Sequence, residues 1–150
     1  MRSWLLLAVF IIAVIGTGSL LGIVTAPGPW YAALEKPWFT PPNWLFGPVW
    51  TVLYLLIAIV GWRVWNRPGL PTLKGLWVVQ MALNFLWSPV FFGAQAIGLG
   101  AIVILALLAA ILAFIGKAWT RDPVSATLFV PYAAWVGYAS ALNIAIFLLN

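Results

Sequence analysis

Five stretches of this chain run without a single Asp, Glu, Lys or Arg: Trp4 to Val24, Trp44 to Trp62, Leu76 to Gly93, Ile97 to Ile115 and Val124 to Leu149. Each meets or approaches the ~20 residues that a helix needs to cross the hydrocarbon of a bilayer. Open strands do not serve there, because lipid offers no partner for unpaired backbone groups. Apolar residues make up 65% of the chain and charged ones 6%, far from the balance of a soluble domain. The expected fold is therefore all-α, an integral membrane bundle of five transmembrane helices. Residues 1–150 are expected to form one domain, since the connectors are too short to fold alone. Arg2 precedes the first run, but that run is longer than a usual signal-peptide h-region and no small-x-small cleavage site follows before Pro27, so it is read as a retained span.

The connectors orient the bundle. Six of the seven basic residues, Arg2, Arg63, Arg67, Lys74, Lys117 and Arg121, fall on one side, and only Lys36 on the other. The positive-inside rule then places the N-terminus in the cytoplasm and Asn150 outside, with a bacterial cell membrane as the expected location. A net charge of +5 spread over such connectors makes no basic stripe, so no nucleic-acid partner is expected. Cysteine and histidine are both absent, which removes disulfides, imidazole bases and most metal sites. Neither a metal nor a cofactor is expected.

The first connector, Trp30 to Trp44, carries five aromatic rings and Pro37, Pro41 and Pro42. Prolines fix φ and bias the preceding residues toward extended backbone, so the rings are presented on a stiffened segment, as on a lid. Within the spans, polar and aromatic side chains gather on faces. Gln80, Asn84 and Ser88 recur every four residues beside Trp87, Phe46 shares a face with Trp50 and Tyr54, and Tyr132, Trp135, Tyr138, Ala139, Leu142 and Asn143 share an arc. An unpaired amide in hydrocarbon is expensive, so these faces are expected to look into the bundle. Trp4, Trp30, Trp62, Trp65, Trp77 and Trp119, near span ends, read as interfacial anchors. The Gly18-x-x-x-Gly22 spacing permits close helix approach but is common by chance in a chain so rich in Gly and Ala. The fourth span, apolar throughout, is expected to pack or face lipid without lining a site.

The pattern W-Y-x-x-L-x-K-P-x-x-x-P-P from Trp30, L-N-F-L-W-S-P-V-F-F-G-A from Leu83 and P-Y-A-A-W-V-G-Y-A-S-A-L-N from Pro131 occur in that order, and together they resemble the TspO family, also called the tryptophan-rich sensory or translocator protein family. The resemblance implies a five-helix bundle, often a homodimer, that binds porphyrins and related flat hydrophobic ligands in a pocket roofed by the first connector. At matching positions the pocket would be lined by Tyr31, Pro41, Phe46, Trp50, Asn84, Trp87, Trp135, Tyr138, Ala139 and Leu142. Lys36, the one basic residue on the lid side, is the expected partner for an acidic substituent of the ligand. Some bacterial members are implied to degrade protoporphyrin with light and oxygen, and the two tryptophans concerned match Trp50 and Trp135. The expected function is thus sensing or regulating tetrapyrroles, with photo-oxidative degradation or passive tetrapyrrole or lipid passage as alternatives. Coupled transport is disfavoured, because no titratable Asp, Glu, His, Lys or Arg lies inside a span. The tyrosine and arginine that end the fifth helix of animal members as part of a cholesterol motif are missing after Asn143.

Overall fold

The computed structural model describes residues 2–150, with side chains from Ser3 onward. Among them are six helices: α1 (Arg2–Val24), a short α2 (Pro29–Ala33), α3 (Phe46–Trp65), α4 (Pro71–Ser88), α5 (Ile97–Ala118) and α6 (Pro123–Leu149). All but α2 belong to segments long and apolar enough to cross a membrane. Proline sets several boundaries. Pro29, Pro71 and Pro123 each open a helix, where the missing N–H has no intrahelical partner to lose. Pro89 starts a π-helical turn, Pro89–Gly93, closed by the Ala94 amide donating to Pro89 O at 2.8 Å. α6 carries Pro131 in its interior and still runs 27 residues, about 40 Å at 1.5 Å per residue.

Around the bundle the order is α1, α3, α6, α5, α4 and back to α1, with the most extensive packing between α5 and α6, α4 and α5, and α1 and α3. Packing is uneven along the axis. Toward the end with the basic connectors, Ile57, Val60, Val64, Ile111, Phe114 and Phe129 form a closed core. Gly61 permits the closest approach there, since a Cβ on it would come within 2.6 Å of the Phe10 ring and 2.8 Å of Trp77. The same end is tied by charge. Asp122, 1% exposed, accepts from Arg63 at 2.8 Å, lies 3.5 Å from Arg67, and accepts the Ser125 hydroxyl. Burial opposes its charge, but the hydrogen bonds from Arg63 and Ser125 and the charges of both arginines outweigh that and hold its carboxyl below the usual range.

One reading from the sequence is corrected. Trp77 is not an interfacial anchor: it is 8% exposed and donates from Nε1 to Ile57 O at 3.0 Å. α4 begins at Pro71, ahead of the first charge-free residue Leu76, so Trp77 lies nearly two turns inside the helix rather than at its end.

Candidate ligand-binding site

Toward the opposite end the bundle loosens, and the side chains there are held by hydrogen bonds from α6. The first connector folds back over this end. The Tyr138 hydroxyl donates to Phe39 O, and the Asn150 side chain accepts from the Glu35 amide at 3.2 Å and donates to Glu35 O at 2.9 Å. Pro41 is buried, and the Tyr31 ring is 3% exposed, edge-on to Phe91 and Phe92. Burial, with Tyr138 nearby, pushes the Tyr31 hydroxyl above its ordinary pKa, and that hydroxyl has no hydrogen-bond partner. The lid is thus a roof tied down at two points, Glu35 and Phe39.

Beneath and beside this roof lie two cavities. The larger, about 350 Å³, sits between α1, α3 and the end of α4. Its aromatic wall is Phe46, Trp50, Tyr54, Trp87 and Phe92, and its opposite wall is the α1 backbone at Gly18 and Gly22. Glycine is required at 18, where a Cβ would overlap the Tyr54 ring, whereas a Cβ at Gly22 or Gly47 would meet nothing within 4 Å. Exposed Ser19, Gly22, Ile23, Gly47 and Thr51 show that the cavity opens at its side as well as toward the lid. The second cavity, about 20 Å³, lies directly under Tyr31 against Ala139, Leu142 and Asn143 of α6. Phe46, Trp87 and Phe92 border both.

The candidates from the sequence therefore divide. Trp50 lines only the larger cavity, Tyr31, Ala139 and Leu142 only the smaller, and Phe46 and Trp87 both. Trp135 and Tyr138 stand one layer back: Trp135 packs edge-on to Phe46 with centroids 6.1 Å apart, beside Tyr138, and its buried Nε1 has no partner. Pro41 borders neither cavity. Asn84 is not a wall residue either. It donates to the Tyr132 hydroxyl at 2.6 Å, Tyr132 donates to Gln80 Oε1 at 2.8 Å, and the Tyr54 hydroxyl reaches Asn84 Oδ1 only at 3.5 Å. This buried chain backs the floor of the larger cavity and emerges at Tyr54. Lys36 lies over the Tyr31 ring, 4.8 Å from its centroid, and donates to Ala32 O and Leu34 O. Among the described residues it forms no ion pair with Glu35.

Sequence reasoning passed over α1 as a source of site residues, although it supplies a whole wall; the signal was the Gly18-x-x-x-Gly22 spacing. Ser88 also has a partner just beyond the end of that helix, the Thr25 hydroxyl, at the cavity's edge.

The sequence profile of the TspO/MBR family matches residues 7–149. The chain belongs to the TspO/MBR family. It is 44% identical over 144 residues to the tryptophan-rich protein TspO of Archaeoglobus fulgidus, covering 93% of this chain and 94% of that one. It is 39% identical to protein CrtK of Rhodobacter capsulatus, over 99% of this chain and 94% of the relative. With the human translocator protein it shares 41% identity over 120 residues, 76% of this chain and 70% of the human one. Family membership and five apolar spans together make it an integral, multi-pass membrane protein. Phe46, Trp50, Trp87, Tyr31, Ala139 and Leu142 of this TspO/MBR member all lie within the matched region, so the cavities belong to the family domain rather than to an appendage.

Proposed function

We propose that the protein binds porphyrins and related flat, hydrophobic ligands in the aromatic cavities under the first connector, and serves as a sensor or regulator of tetrapyrrole levels. The observation that carries this reading is the 350 Å³ cavity walled by Phe46, Trp50, Tyr54, Trp87 and Phe92. Rigid aromatic walls suit a flat ring system, since stacking and apolar burial are gained without ordering many rotamers. Lys36 has used two of its three donors on carbonyls, leaving one N–H for a carboxylate at the watery rim. A relative from Cereibacter sphaeroides, 33% identical over 99% of this chain, is named tryptophan-rich sensory protein, which supports a sensing role. The protein sits in this reading as a homodimer in a bacterial cell membrane, N-terminus cytoplasmic and lid outward.

The test is a titration of purified protein in detergent with metal-free protoporphyrin IX, following tryptophan quenching. Saturable, stoichiometric quenching is expected. Quenching that rises linearly, as it does for free tryptophan in the same micelles, contradicts the proposal.

A further inference from the structure

The two cavities share three lining residues, all aromatic. Phe46 from α3, Trp87 from the end of α4 and Phe92 from the π-helical turn border the larger space and the smaller alike. The smaller space, about 20 Å³, has room for no more than about one water. The larger, about 350 Å³, is near the bottom of the ~300–1,000 Å³ range of ligand pockets. As they stand, the three rings keep anything lying against Gly18 and Gly22 of α1 from reaching Ala139 and Leu142 of α6.

The rings differ in how firmly they are held. Trp87 is anchored: its Nε1 donates to Asn143 Oδ1 at 3.0 Å, and it stacks on Phe91 with centroids 5.2 Å apart. Phe92 has no polar tie, is only half-buried, and touches Trp87, Tyr31 and Phe91 by ring edges at 5.7, 5.4 and 4.8 Å. It is carried on the one turn of the α4 segment whose hydrogen bonding departs from the α-helix. Edge contacts of this kind are individually weak, so rotating one ring is accessible to a ligand that replaces those contacts with its own.

We propose that Phe46, Trp87 and Phe92 form a movable partition, with Phe92 its yielding member, and that this partition sets the size of flat ligand the protein accepts. A small ring system occupies the α1 compartment with the partition closed. A macrocycle requires Phe92 to swing aside, joins the two compartments, and touches α1 and α6 at once. This rests on the ligand reading above and adds a determinant of specificity to it. It also carries a kinetic consequence. Macrocycle association is gated by partition opening, so its observed rate levels off with concentration, whereas the small ligand's rate rises linearly.

The experiment compares protoporphyrin IX with anthracene, as four-pyrrole and three-ring probes, on full-length wild type, Phe92→Ala and Phe92→Leu in one detergent. Taking the ratio of the two affinities cancels contact area that both probes lose with the ring. The ratio is expected to move toward the macrocycle about tenfold in Phe92→Ala and less in Phe92→Leu, with the rate plateau lost in both. If Phe92→Ala does not fold, Phe92→Leu carries the comparison. Binding of protoporphyrin IX by all proteins at an unchanged ratio overturns the partition and leaves the ligand reading standing. Failure of every protein to bind protoporphyrin IX, with or without anthracene binding, overturns both.

Discussion

Trp87 of α4 donates its indole N–H to the Asn143 side chain of α6 at 3.0 Å, and Asn143 in turn donates to Ile97 O of α5 at 3.0 Å. One buried amide thereby joins three helices at the level of the cavities. Trp87→Phe keeps an aromatic ring but strands Asn143 Oδ1, so it is expected to destabilise the bundle by about 1–2 kcal/mol. Thermal unfolding in detergent reads this as a lowered midpoint. The double variant Trp87→Phe/Asn143→Leu is expected to lose less than the sum of the two single variants.

The lid is expected to control release more than stability. Tyr138→Phe removes the bond to Phe39 O while preserving the ring that packs on Phe39 and Trp135. Dissociation of protoporphyrin IX, followed by recovery of tryptophan emission after dilution, is expected to accelerate several-fold, with the unfolding midpoint nearly unchanged. An unaltered off-rate would separate the lid from ligand retention.

At the other end of the molecule the Asp122 clamp gives a pH dependence of definite sign. The folded carboxyl has a lowered pKa, so its contribution is complete above the unfolded value of about 3.9 and is lost as pH falls through the folded value. Asp122→Asn leaves Arg63 without its carboxylate, and a cost of about 3 kcal/mol is expected at pH 7. The gap between wild-type and variant unfolding midpoints is expected to stay constant from pH 8 to pH 5 and to close only at more acidic pH. A gap that closes between pH 8 and pH 6 would assign the effect to some other group.

The outer and inner faces are distinguishable by labelling. Ala33 on α2 and Arg67 beyond α3 are both exposed. In intact cells a membrane-impermeant thiol reagent is expected to modify Ala33→Cys and not Arg67→Cys; modification of Arg67→Cys alone would invert the assigned topology.

The five spans were legible because charge-free length is a local property, and so was the inward aim of Gln80 and Asn84, which are 0% and 5% exposed. What escaped was whatever depends on partners distant in sequence. Gly18 and Gly22 carry no hydropathy signal, and their role appears only once α3 sets Tyr54 against Gly18 and Gly22 borders the same cavity as Trp50. No local pattern marks Asp122, whose partner Arg63 lies 59 positions away and reaches it only in the folded bundle. Trp135 shared a helical face with Ala139 and Leu142, but it packs edge-on to the Phe46 ring from α3, and Phe46 rather than Trp135 borders the cavities, which periodicity on one helix cannot show. Trp77 was misplaced because the charge of Lys74 suggested a later helix start than Pro71 provides.

The central claim, that flat ligands occupy the space between α1 and the aromatic wall of α3 and α4, is tested most directly on α1 itself. Gly16 and Gly22 are both exposed glycines whose added Cβ would meet nothing within 4 Å, but only Gly22 borders the 350 Å³ cavity. Gly16→Leu and Gly22→Leu are therefore matched in chemistry and in helix, and differ in whether the new side chain competes with a ligand. The protoporphyrin IX dissociation constant is expected to rise at least tenfold in Gly22→Leu and to stay within twofold of wild type in Gly16→Leu. Equal affinity in both variants would place the ligand somewhere other than this cavity.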